Sequence, residues 1–178
     1  MTARRVLVLG GARSGKSTWA EARAAGREDV DYLATSAVDP HDPEWVARVA
    51  AHRLRRPAGW RTLESLDVAG LLASDPERLL LVDCLTVWLS RVMDECGVWD
   101  DARGADAALA VRLDEVVDAL ARTRRHVVLV SNEVGMGVVP ATASGRRFRD
   151  EMGRLNSRLA ASCDSVWFVV AGLPQRLK

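Results

Sequence analysis

Cysteine is scarce and unpatterned in this chain. The three present, Cys84, Cys96 and Cys163, are odd in number, widely spaced and form no CxxC pair, which argues against a disulfide framework or a structural zinc and points to a reducing compartment. Charge of one sign is missing as well: 25 Lys and Arg stand against 24 Asp and Glu, for a net charge of +1. No global field therefore recruits nucleic acid or an anionic membrane, and any anion site must be local. No apolar stretch approaches the ~18 residues that a membrane span needs. The opening "MTARRVLVLGGA" has the outline of a signal peptide, but its apolar run stops at Leu9 and Arg13 soon follows, so a cytoplasmic protein is expected. Internal repeats, low-complexity segments and linker-length loops are also missing. With 178 residues, 48% of them hydrophobic, a single domain over 1–178 is expected to bury its own core.

What is there alternates. "RVLVLG", "DYLATS", "LLLVDCL", "HVVLVSN" and "SVWFVVAG" are short Val- and Leu-rich runs without polar interruption, the pattern of strands buried on both faces. Between them, Leu109, Leu113, Val116 and Leu120 mark one stripe of a helix, and "RRFRDEMGRLNSRLAASC" places Met152, Leu155 and Leu159 on one face of another. The expected class is α/β, a mainly parallel sheet flanked by helices with right-handed crossovers. "DPHDPE" at 39–44 and "GVWDDARGAD" at 97–106 read as loops from their Pro, Gly and Asp content.

The first strand runs into "GGARSGKS", in which Gly10, Gly15, Lys16 and Ser17 fit GxxxxGK[ST] between a strand and a helix. Glycines there let backbone N–H groups face phosphate oxygens, and the helix adds its positive end. Lys16 is placed for the β and γ phosphates and Ser17 for Mg²⁺. A glycine-rich turn capping a helix is the plainer alternative. Asp83 closes the strand "LLLVD", where a phosphate-loop enzyme keeps a second carboxylate for its magnesium; an aspartate there can also be a simple turn former.

Asp42 followed by Pro43 starts a further predicted helix. Arg48, His52, Arg55 and Arg56 share one of its faces, with Val46, Ala50 and Leu54 opposite. Neighbouring guanidinium charge disfavours the imidazolium, a neutral imidazole is a nucleophile, and the arginines could bind a triphosphate under attack. A solvated face with an idle histidine fits the same periodicity. His41 and His126 have no partner at metal-ligand spacing and read as structural.

Taken together, "GGARSGKS", "YLATS", "RVAAHRLRRPAGWRTLE", "LLLVDCLTVWL", "VVLVSNEVGMGVVP" and "FRDEMGRLNSRLAASCDSVWFVVAG" resemble, nearly end to end, the bifunctional adenosylcobinamide kinase and adenosylcobinamide-phosphate guanylyltransferase family of cobalamin biosynthesis. The resemblance implies a P-loop NTPase fold of RecA-like type, with ATP or GTP, together with Mg²⁺, as phosphoryl donor to adenosylcobinamide. It implies a second reaction in which GMP passes from GTP, through a guanylylated histidine, to adenosylcobinamide phosphate. His52 holds that histidine's place. The nucleotide contacts it implies are Gly10, Gly11, Ala12, Arg13, Ser14, Gly15, Lys16 and Ser17, then Ala34, Thr35 and Ser36, then Arg53, Leu54, Arg55 and Arg56, with Glu64 and Asp83. Ser17 and Asp83 are the implied metal ligands, and a homotrimer the implied assembly.

Two positions depart from some members: Ala51 replaces a second histidine, and Asp83 stands where some carry Glu. "NEVGMGVVP" is expected to be a loop on the phosphate-loop edge of the sheet, its glycines around Met136 giving room for a bulky corrinoid. A nucleotide-dependent switch protein, with "NEVGMG" as its switch loop, is the alternative. A DNA-binding module of RecA type would need a basic stripe, and the near-neutral charge counts against it.

Overall fold

The computed structural model describes residues 4–35, 57–74 and 77–178. Ser36, His41, Arg48, His52, Arg53, Leu54, Arg55 and Arg56, with the helix expected around them, lie outside the described residues. In chain order the elements are β1 (Arg5–Gly10), α1 (Lys16–Arg23), β2 (Val30–Ala34), β3 (Arg61–Glu64), α2 (Val68–Ala73), β4 (Leu79–Asp83), α3 (Leu85–Glu95), a 3₁₀ turn (Val98–Asp100), α4 (Ala105–Arg122), β5 (Val127–Asn132), α5 (Ala143–Ser162), β6 (Ser165–Val170) and β7 (Leu173–Arg176).

The five apolar runs become five neighbouring strands of one sheet, ordered β3-β2-β4-β5-β1-β6-β7. Pairing is parallel from β3 through β6, and β7 alone is antiparallel. Apart from the buried Asp31 of β2 and Ser131 of β5, the interiors of the central strands are apolar because both faces are covered. Leu7, Leu80, Val82 and Leu129 join one apolar cluster with residues of α2, α3, α4 and α5. Their neighbours Val6, Val8, Leu79, Leu81, Val128 and Val130 join a second cluster with Ala20 and Ala24, in and just after α1. The helical stripes face inward as their spacing predicts: Leu109, Leu113, Val116 and Leu120 of α4 and Met152, Leu155 and Leu159 of α5 are all buried. No helix among the described residues is long and apolar enough to cross a membrane.

Two strands carry no such signal in the sequence. The β3 segment "RTLE" is largely exposed at one edge of the sheet, and β7 "LPQR" is exposed throughout at the other. A strand without a buried face needs no alternation, so periodicity does not reveal it. A turn at Ala171 and Gly172, with φ of 50° and 78°, reverses the chain between β6 and β7 in the hand that suits a two-residue hairpin. The stretch expected as a loop at 97–106 contains the 3₁₀ turn, whose Val98 is buried, and its end already belongs to α4.

The amino ends of four strands meet at a buried charge. Asp31 on β2 is fully buried and accepts hydrogen bonds from Arg61 at 2.8 Å, from Arg78 at 2.8 Å and from the buried Arg125. Arg125 also donates to the carbonyls of Leu71 and Arg78. Burial works to raise the Asp31 carboxyl, but the hydrogen bonds from the three guanidinium groups outweigh it and hold the group at about 2.

Asp31→Ala is therefore expected to cost roughly 3–5 kcal/mol of stability, because Arg125 stays buried without its carboxylate. The sign of the pH dependence follows from a folded value of about 2 against the ordinary 3.8: the stabilisation is complete above the ordinary value and fades as pH falls toward the folded one. Urea midpoints of wild type and variant at about pH 7 and about pH 3 measure this, the smaller gap being expected in acid.

Candidate active site

The carboxyl ends of β1, β2, β4 and β5 lie side by side, and the candidate residues within the described segments, Glu64 apart, gather there. Register pairs Gly10 with Asn132 and Ala34 with Asp83. Open parallel sheets bind ligands at this edge, where the loops after the strands diverge.

From Gly10 the chain curls back on itself before α1. Ser14 N–H donates to the Gly11 carbonyl at 3.3 Å, and Arg13 and Gly15 take positive φ, 57° and 90°. Glycine is required at two points of this curl. A side chain on Gly10 would meet Ser14 Oγ at 2.5 Å and the Val169 carbonyl oxygen at 2.6 Å, while Gly15 combines its left-handed conformation with a site where an added Cβ would lie 3.1 Å from Gly172 Cα. The β6–β7 turn supports the loop from outside, with Gly172 N–H donating to the Ser14 carbonyl at 2.8 Å. Gly15 is the N-cap of α1, and no side chain caps that end. The unpaired N–H groups of a helix's first turn are the donors that anion binding uses. Lys16 is buried, and its ammonium folds over the loop to donate to the Gly11 carbonyl at 3.1 Å.

Ser17 Oγ donates to Asp83 Oδ1 at 3.1 Å, joining the start of α1 to the end of β4. A hydroxyl and a carboxylate side by side are hard oxygen ligands of the kind Mg²⁺ takes, so the residues fit such an ion. The other carboxylate oxygen, Oδ2, accepts from the hydroxyl of the buried Tyr32 at 2.7 Å. Tyr32 is a positioning residue that the sequence did not single out. Its only signal was a hydroxyl-bearing aromatic in the strand "DYLATS", and the pairing of β2 with β4 is what turns it toward Asp83.

Thr35 is fully buried, and its hydroxyl donates to the Cys84 carbonyl at 2.7 Å and accepts from Cys84 N–H at 3.1 Å. Its side chain ties the end of β2 to the residue after Asp83. Arg91 of α3 donates to the Thr35 carbonyl at 2.9 Å and holds the same corner. Burial, then the adjacent Asp83 carboxylate, push the Cys84 thiol up, so it remains protonated at neutral pH. Glu64 ends the edge strand β3, remote from the phosphate loop, with β2, β4 and β5 between β3 and β1. His126 lies at the opposite end of the sheet, where its carbonyl accepts from Leu80 N–H at 2.8 Å.

After Asn132 the segment "EVGMGVVP" leaves the sheet as a loop beside the phosphate loop and runs to Thr142, the N-cap of α5. Met136, Val138 and Val139 on it are exposed, and a Cβ on Gly137 would meet nothing within 4 Å.

The sequence pattern of the family described as "Cobinamide kinase / cobinamide phosphate guanyltransferase" matches residues 6–177. The chain is 45% identical over 178 residues to the bifunctional adenosylcobalamin biosynthesis protein CobP of Pseudomonas aeruginosa, covering 98% of this chain and 97% of that protein. It is 42% identical over 183 residues to the bifunctional adenosylcobalamin biosynthesis protein CobU of Salmonella typhimurium, covering 97% and 99%. Among solved structures, an ATPase from the type III secretion system of pathogenic bacteria superposes with a TM-score of 0.56 at 14% identity, over 97% of this chain and 56% of that one. That likeness is one of fold.

Gly10→Ala tests the steric reading of the loop. The Val169 carbonyl belongs to the sheet and cannot retreat, so the loop must move, at a cost of roughly 1–3 kcal/mol. A lowered thermal midpoint is expected, together with loss of the further rise that nucleotide gives the wild type.

Proposed function

The chain belongs to the cobinamide kinase / cobinamide phosphate guanyltransferase family, and we propose that it carries out two reactions at this edge of the sheet. The first transfers the γ phosphoryl of ATP or GTP to the aminopropanol hydroxyl of adenosylcobinamide. The second transfers GMP from GTP to the resulting phosphate, giving adenosylcobinamide-GDP and pyrophosphate. The observation that carries this reading is the meeting of the Lys16 loop with the Ser17–Asp83 pair at 3.1 Å, in a chain matched by the family over residues 6–177.

In the first reaction, backbone N–H groups from Gly10 to Ser17 cradle the phosphates, and Lys16 leaves the Gly11 carbonyl for the β and γ phosphate oxygens. Ser17 and Asp83 would hold Mg²⁺, which neutralises charge on the triphosphate when bound. Tyr32 holds the Asp83 carboxylate through its hydrogen bond to Oδ2. Fixed donors and charges of this kind act most strongly where negative charge develops in transfer.

In the second reaction attack falls on the α phosphorus instead. His52 is the proposed nucleophile: its imidazole forms a P–N bond as the bond to pyrophosphate breaks, and the acceptor's phosphate then displaces the histidine. Arg53, Leu54, Arg55 and Arg56 are proposed to line the triphosphate, with Ala34, Thr35, Ser36 and Glu64 contacting the nucleotide. An assembly of three copies, which the resemblance implies, belongs to the same reading, as does the cytoplasmic location expected from the unpaired cysteines and short apolar runs.

His52→Ala should still phosphorylate adenosylcobinamide, form no adenosylcobinamide-GDP and take up no label from α-labelled GTP. The wild type should carry that label through an acid-labile, base-stable bond. A labelled variant, or one that still makes the GDP product, would refute the covalent route. Lys16→Ala is expected to abolish phosphorylation. Asp83→Asn should lower kcat by about 10²-fold or more while changing the nucleotide Kd much less, since its charge matters most in the transition state; a magnesium titration of both constants checks it.

A further inference from the structure

Phosphoryl transfer to an alcohol needs a group to take the hydroxyl proton, and that group must stand beside the γ phosphate within hydrogen-bond reach of the acceptor. We propose that Glu133 is this group, an inference that rests on the kinase reading above.

Its position follows from the sheet. β5 lies between β4, which ends in Asp83, and β1, which ends in the phosphate loop. Glu133 is the first residue beyond β5, and its N–H donates to the Gly10 carbonyl at 3.1 Å. The corner before it is fixed from two more sides. Asn132 N–H donates to Thr86 Oγ1 of α3 at 2.8 Å, and Asn156 Nδ2 of α5 donates to the Asn132 carbonyl at 3.0 Å. The backbone carrying this carboxylate is therefore anchored to the phosphate loop and to the helix that follows Asp83.

The side chain is available. Glu133 is half-buried, Oε1 accepts from Gly135 N–H at 2.5 Å, and Oε2 takes no hydrogen bond among the described residues. The other carboxylates that end strands at this edge fit the role less well. Asp83 already faces Ser17 and Tyr32 on its two oxygens. Glu64 stands on β3, four strand spacings from β1, which at ~4.8 Å each is roughly 19 Å. Beyond Glu133 the same loop exposes Met136, Val138 and Val139 at 79%, 96% and 59%. These give a bulky, partly apolar acceptor a surface to lie on while its hydroxyl reaches the carboxylate.

In the step itself the acceptor oxygen forms a bond to the γ phosphorus, and the bond from that phosphorus to the β–γ bridging oxygen breaks, releasing nucleoside diphosphate. The hydroxyl proton passes to Glu133 Oε2 and from there to water.

The test is Glu133→Gln, assayed for phosphorylation of adenosylcobinamide and for labelling by α-labelled GTP, which involves no acceptor hydroxyl. The expected result is a fall in kcat of about 10²-fold or more, with the acceptor KM little changed and labelling retained. Glu133→Asp, which keeps the carboxylate on a shorter stem, should label normally and recover part of the kcat. A Gln variant with wild-type kcat overturns the proposal. So does a loss confined to KM, a loss of labelling in the Gln variant, or an Asp variant no better than Gln. A wild-type protein that fails to phosphorylate adenosylcobinamide at all would instead bring down the kinase reading itself.

Discussion

The parallel pairing of β1 with β5, Gly10 beside Asn132, is the constraint on which the site depends. Because β4 pairs on the far side of β5, the same register brings the phosphate loop, Asp83 and the loop after Asn132 to one edge. Parallel strands send all their outgoing loops to the same end, so separate segments converge without any of them having to reach far. The Ser17–Asp83 hydrogen bond spans 66 positions of sequence and is possible only because of this arrangement.

The two ends of the sheet handle charge differently. At the amino end Asp31 is enclosed by Arg61, Arg78 and Arg125, a carboxylate with its hydrogen bonds satisfied inside the protein. At the carboxyl end Lys16, Ser17 and Asp83 rest on one another and on the loop backbone, in contacts that a phosphate or a cation can replace. The first arrangement fastens four strands together. The second leaves polar groups oriented and exchangeable, as a binding site requires.

The loop itself is held by close approach. Gly10 lies too near Ser14 and the Val169 carbonyl for any side chain, and Gly15 lies against Gly172 of the β6–β7 turn. The hairpin that ends the described chain therefore acts as a brace for the phosphate loop, through Gly172 N–H and the Ser14 carbonyl. Nothing in "VAGLPQR" announces that role, because its residues are mostly exposed and its turn is Ala-Gly rather than a stronger hairpin pair.

Local pattern was enough for what local physics controls. The uninterrupted runs marked buried parallel strands, the stripes of α4 and α5 marked their inward faces, and GxxxxGKS between strand and helix marked the phosphate loop, since these depend on burial and backbone freedom within a few residues. Family likeness, itself a property of the sequence, supplied the activity. Strand order, the exposed edge strands β3 and β7, the Tyr32 hydrogen bond to Asp83, the clasp on Asp31 and the anchoring of Glu133 to Gly10 were decided only in three dimensions. The exposed edge strands lack a buried face to mark them, the polar contacts join residues far apart in the chain, and no periodicity records which distant partner a buried polar group will meet once the strands have paired.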